Sequence, residues 1–171
     1  MPTGKLQKNK SQIIIGVDPG IADTGFGIIK KTEGELKLIA YGSIKTNKKK
    51  ELGARLVELE KHLQTLIKKY QPDRAVVEKL FFCNNQKTAL IVGQARGVIM
   101  LALEKNKVPT IELTPLQVKQ GIAGYGKAEK KQIQQLVKMI LKLKKIPQPD
   151  DASDALAMAV CGSNFLINTS I

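Results

Sequence analysis

The stretch IIIGVDPGIADTGFGII, residues 13–29, decides how this chain is read. Ile13-Ile14-Ile15-Gly16-Val17 is apolar enough for a buried strand, yet it ends on a carboxylate, Asp18, at a Pro-Gly turn. Beyond that turn, Gly25 to Lys30 and Leu36 to Ile44 are again strand-like, so the first quarter of the chain predicts an antiparallel meander. Taken alone, Asp18 suits the organisation of an Asp-Pro-Gly turn as well as it suits chemistry. The rest of the chain separates the two readings.

Residues 51–70 place Leu52, Leu56, Leu59, Leu63 and Leu66 at helical spacing, with charges on the other faces, which predicts an amphipathic helix. His62, the single histidine, falls among those charges and reads as a solvated surface imidazole outside any mechanism. Pro72-Asp73 stops the helix, and Arg74 to Glu78 is a short buried-type strand that ends on a second carboxylate. Thr88 to Asn106 reads as a helix whose Gly93, Ala95 and Gly97 suit close packing on a neighbour. Val108 to Leu113 is a fifth strand. Thr114 supplies an N-cap and Pro115 the first position of a helix that fails near Gly121 to Gly126. A lysine-rich amphipathic helix follows over 127–143, and the last helix starts near Asp151 after Pro147-Gln148-Pro149. The order predicts an α/β domain over residues 12–166, a mixed five-stranded sheet flanked by helices. A flexible basic arm at 1–11 and a tail at 167–171 flank it.

A chain of 171 residues fits one domain with a core of its own. Against 15 Asp and Glu stand 28 Lys and Arg; the resulting charge of +13 suits a polyanionic partner such as nucleic acid. Cys83 and Cys161 have no metal-ligand companions, which argues against a zinc site or a disulfide framework. No stretch approaches the roughly 18 apolar residues of a membrane span, and no apolar secretion signal follows the basic start. The expectation is a soluble cytoplasmic chain with no membrane role, in which the Asn168-Thr169-Ser170 sequon has no glycosylation meaning.

Each acid has a bland use of its own. Glu78 can close a strand end or pair with Lys79, and Asp150 or Asp151 can be an N-cap. The combination is harder to dismiss. Asp151 and Asp154 are three apart, project from one helical face, and fall in a first turn where the macrodipole favours negative charge. Strand ends and helix starts meet at one rim of a mixed sheet, so Asp18, Glu78, Asp151 and Asp154 are expected to converge although 136 residues separate the first from the last. Four clustered carboxylates stay ionised only with cations, and hard oxygen ligands without His or Cys select Mg²⁺ or Mn²⁺ over zinc. Beside a basic surface, this suggests phosphodiester hydrolysis by two metals about 4 Å apart, with Asp18 bridging them. Lys119 and Lys130 flank the glycine-containing break, a layout that can present ammonium groups to phosphates, with Lys127 and Lys131 as helpers. A solvated lysine face is the competing explanation. Phe81 and Phe82 follow the Glu78 strand, where core filling competes with stacking on unpaired bases.

GVDPG with the following TGFG, AVVEK with Phe81, GQARG at 93–97, QVKQ at 117–120, GYGKAEK at 124–130 and DASDALAMA at 151–159 together resemble the RuvC family of Holliday junction resolvases. The likeness spans about residues 13–163, and the motifs in this order are highly specific. It implies a ribonuclease H-like fold, a homodimer, two Mg²⁺ per active site and paired nicking of four-way DNA junctions. The products would carry 5′ phosphates and ligatable 3′ ends, and a branch-migration motor would be a partner. The family's catalytic and metal-binding acids map onto Asp18, Glu78, Asp151 and Asp154, its basic DNA-binding positions onto Lys119 and Lys130, and its junction-contacting aromatic onto Phe81. Asp150 departs from the family pattern by doubling the acid before Ala152; the spacing to Asp154 selects Asp151 as the third ligand. The two-fold symmetry of a junction gives dimerisation a rationale, with the 88–106 helix as candidate interface and core packing as its rival. Two alternatives remain open: a ribonuclease H-like nuclease of structured RNA, and a non-catalytic junction binder whose acids are only structural.

Overall fold

A computed structural model describes residues 11–79 and 86–165; Phe81, Phe82, Cys83 and most of the two terminal segments lie outside the described residues. Five strands, β1 (Gln12–Asp18), β2 (Asp23–Thr32), β3 (Glu35–Lys45), β4 (Arg74–Glu78) and β5 (Thr110–Leu113), form one sheet in the order β3-β2-β1-β4-β5. The first three are antiparallel neighbours, as the meander predicts, whereas β4 joins β1 in parallel and β5 joins β4 in parallel. The hairpin between β2 and β3 turns on Glu33 and Gly34, both at positive φ, the twist that a two-residue connection needs.

Five helices cover the sheet: α1 (Leu52–Tyr70), α2 (Gln86–Lys105), α3 (Pro115–Ala123), α4 (Lys130–Ile140) and α5 (Asp150–Gly162). Side chains alternate along each strand, so the sheet carries two cores. Ile15, Val17, Ala75 and Val77 pack with Leu59, Leu63 and Ile99 of α1 and α2. Ile14, Val76 and Leu113 pack with α3, α4 and α5. Among the described residues no helix is long and apolar enough to cross a membrane.

Several boundaries differ from the sequence reading for local reasons. β5 begins at Thr110 rather than Val108, because Pro109 has no N–H for the ladder and contributes only its carbonyl, which accepts from Ala75. α3, by contrast, ends within the expected Gly121 to Gly126 break, at Gly124, whose φ of 82° makes the left-handed cap. Thr114 caps it as expected, in a reciprocal capping box with Gln117. α4 is shorter than 127–143 and runs from Lys130 to Ile140. Among the described residues a methyl group at Gly97 would meet nothing within 4 Å, so Gly97 makes no close packing contact with them.

The contact that fixes the architecture is between α5 and the sheet. A methyl group at Gly16 would overlap the Ala155 carbonyl oxygen, and one at Gly25 would overlap that of Asp151. At Gly27 it would lie 2.7 Å from the backbone nitrogen of Leu156. Gly16, Gly25 and Gly27 therefore let the α5 backbone rest directly on β1 and β2. At the other end of α5, the buried Arg74 of β4 donates to the carbonyls of Gly162 and Phe165, and Lys31 donates to that of Ser163 at 2.6 Å.

Gly16→Ala is expected to lower the urea-unfolding free energy by about 3 kcal/mol or more, as the overpacked group meets backbone that has no rotamer to change. Gly53→Ala in α1, where the added methyl group meets open space, is expected to be neutral or to gain up to about 1 kcal/mol.

Candidate active site

Val17 lies opposite Val77 in the parallel β1–β4 pair, so the next residues, Asp18 and Glu78, end neighbouring strands side by side. Counting by two from Ile14 and Val76 puts both carboxylates on the face covered by α5. α5 brings Asp154 to the same place. The three acids line a cleft of about 210 Å³ with Lys119, Lys130 and an apolar wall that includes Val118, Ile133 and Met158.

The electrostatics of this group are those of acids short of countercharge. Asp18 is pushed up to about 8, first by burial and then by Glu78, Asp154 and Asp151, and it shares a hydrogen bond with Glu78. Glu78 is also raised, chiefly by burial and further by Asp154, while the hydrogen bond from Asp18 opposes the shift. One proton thus serves two neighbouring carboxyl groups, as in other close acid pairs.

Asp151 joins the field without lining the cleft. It sits over β2, its Cβ 3.0 Å from where a methyl group on Gly25 would be, and its carboxyl is raised by burial, Asp23 and Asp154, with Lys130 opposing. Neither Asp150 nor Asp151 caps α5. Pro149 holds the N-cap position, and both aspartates fall within the first turn, while Asp154 lies beyond it. The helix starts one residue earlier than the sequence reading placed it, which accounts for both differences.

Lys130 holds two acids together. Its Nζ lies 2.8 Å from Asp154 and 3.3 Å from Asp150. Burial pulls its pKa down, but the hydrogen bonds and charges of Asp154 and Asp150 outweigh that and leave it above the ordinary lysine value. Lys127 and Lys131 are exposed and do not line the cleft. Among the described residues no three acids already enclose a single point as a cation cage. The donor chemistry nevertheless fits a hard divalent ion: carboxylate oxygens only, two of them sharing a proton, and a third balanced by an ammonium group. Sequence reasoning missed the seating role of Gly16, Gly25 and Gly27, the nearness of Asp23 to Asp151, and the clamp that Lys130 makes. The glycine spacing, two apart at 25 and 27 beside a strand ending in an acid, was the available signal.

The sequence model described as crossover junction endodeoxyribonuclease RuvC matches residues 14–162. The chain belongs to the RuvC family. A family member from Petrotoga mobilis is 51% identical over 153 residues, covering 90% of this chain and 94% of that protein. One from Brevibacillus brevis is 49% identical over 158 residues, covering 92% and 95%. The structure of Thermus thermophilus RuvC in complex with Holliday junction substrate superposes with a TM-score of 0.84 at 31% identity, covering 89% of this chain and 93% of that one. The mixed sheet and its flanking helices are thus the ribonuclease H-like fold of this family.

The raised Asp18 carboxyl predicts a pH dependence of the cation-free protein. Its contribution to stability is complete below the unfolded value of 3.8 and is lost as pH rises toward about 8, because the folded state holds a proton that the unfolded state has released. In chelator, Asp18→Asn should gain over the wild type by on the order of 1 kcal/mol or more at pH 8 and by less at pH 5, read from urea midpoints.

Proposed function

We propose that this protein resolves four-way DNA junctions by paired hydrolytic nicking, and that the cleft holding Asp18, Glu78 and Asp154 is its active site. The observation that carries this reading is the convergence of three distant acids with Lys119 and Lys130 in one cleft of a RuvC-family chain. Asp18, Glu78, Asp151 and Asp154 would hold Mg²⁺, two ions per site, with Mn²⁺ as a substitute and Asp18 shared between them. When bound, the ions supply an activated water and neutralise the departing 3′ oxygen. No side chain needs to act as nucleophile.

The chain's own residues position the reaction. Asp18 and Glu78 stand at the ends of strands buried on both sides, so their carboxyl groups have little room to wander. Lys119 and Lys130 take backbone phosphates, with the exposed Lys127 and Lys131 adding charge outside the cleft. The pairing of Lys130 with Asp150 and Asp154 keeps its ammonium group within reach of both the acids and an arriving phosphate. Phe81 is proposed, from the family match, to stack on a base at the junction. A branch-migration motor and a cytoplasmic location are proposed on the same resemblance.

A homodimer formed through α2 supplies the second active site. Leu90 is 65% and Leu101 52% exposed, and both share a helical face with Gln94 and Gly97. Two exposed leucines with a bare glycine between them on one face admit a second helix closely.

The decisive experiment compares a synthetic four-way junction, a linear duplex and a structured RNA, each with and without Mg²⁺. Symmetric nicks in the junction alone, and only with the ion, are expected; equal cutting of RNA, or binding with no cutting by the wild type, overturns the proposal. Asp18→Asn, Glu78→Gln and Asp154→Asn should each lower cutting at least ~100-fold while junction binding persists in chelator. Leu101→Glu is expected to yield monomers by analytical ultracentrifugation and to uncouple the two nicks.

A further inference from the structure

Glu78 has an unusual position for a residue whose carboxyl must be held in place. It is the last residue of β4, and the β4–β5 ladder gives out just beyond it, with the Lys79 N–H donating to Leu113 at 2.8 Å. What steadies the peptide of Glu78 comes from the opposite face of the sheet. Arg96 of α2 donates from Nε to the Glu78 carbonyl oxygen at 3.0 Å, and another nitrogen of the same guanidinium is ion-paired with Glu112 of β5.

We infer that Arg96 is a positioning residue for Glu78, bracing its backbone from behind the sheet so that its carboxyl faces the cleft. Three features favour this over an ordinary surface ion pair. The Arg96 side chain is only 19% exposed, so it is largely withdrawn from the solvent that weakens such pairs. Its Nε bond is made to the main chain of an acid-bearing residue rather than to another side chain. The guanidinium is a rigid planar fork, so holding it on Glu112 also fixes the direction of its second bond. Arg96 is absent from the cleft lining, which excludes direct contact with the reacting groups there. A flexible lysine could reach one of these two partners but could not reproduce the fork.

The inference rests on the reading of Glu78 as a ligand of the catalytic ions, and it is tested without substrate first. Mn²⁺ binding to the full chain is measured by titration calorimetry for the wild type, Arg96→Ala, Arg96→Lys, Glu112→Ala and the Arg96→Ala/Glu112→Ala double variant. Circular dichroism shows which variants are folded. Loss of an outer support of this kind is expected to weaken ion affinity about 10-fold in Arg96→Ala, within the range of roughly 10- to 100-fold for such groups. Glu112→Ala should lose less, and the double variant should be no worse than Arg96→Ala alone, because Glu112 acts only through Arg96. Junction cutting should fall in kcat with KM unchanged, and Arg96→Lys should recover part of the loss. Wild-type ion affinity in a folded Arg96→Ala protein, or additive losses in the double variant, overturns the inference while leaving the proposed function intact. If Arg96→Ala is unfolded, Arg96→Lys and Glu112→Ala decide by the same criterion, wild-type affinity in both being the overturning result. A wild type that binds no ion sinks the proposed reading of Glu78 and this inference with it.

Discussion

Helices that cover a sheet normally stand off from it by the thickness of two side-chain layers. α5 does not. It lies with its carbonyl groups where the side chains of Gly16 and Gly25 would be, and the rest of the molecule depends on that approach. Any other residue at these positions would lift the helix, and with it Asp151 and Asp154, away from the strand ends that carry Asp18 and Glu78. The alanine-rich body of α5, nearly all of it buried, is the matching half of the same contact.

Bringing the acids together creates an electrostatic problem that the surrounding residues only partly relieve. A chain with a charge of +13 has lysines in excess, yet among the described residues a single ammonium group, that of Lys130, is paired with acids of the cleft, and Asp18 and Glu78 settle their own conflict by retaining a proton. The site is thus poised between two ways of balancing charge, one with protons and lysine and one with divalent ions. The positive surface elsewhere suits the phosphate backbone, whose attraction is long in range and sensitive to salt.

Much of this was legible in the sequence. Apolar runs ending in Asp18 and Glu78 marked two buried strands, leucines at helical spacing marked α1, and Thr114-Pro115 marked the start of α3, because each signal is local and strong. The acids could be grouped from their placement at strand ends and a helix start. What was not legible depends on contacts made across the sheet. Whether Asp151 or Asp150 faces the cluster depends on one residue of helix phase, and that phase is set by where Pro149 ends the preceding loop. That Lys130 turns inward to Asp154 is a matter of how α4 lies against α5. The seating role of Gly16, Gly25 and Gly27 could not be assigned, since nothing nearby in the chain announces a helix that arrives more than a hundred residues later.

The bare strip beneath α5 has a further result. Contacts between side chains can be redistributed by small rotations, so the two cores tolerate exchanges among Leu, Ile and Val with gradual changes in stability. A carbonyl oxygen against an unsubstituted α-carbon has no such freedom. Acid spacing is therefore insulated from changes in the surrounding hydrophobic packing, and the interior can be repacked while the geometry of the cleft stays fixed.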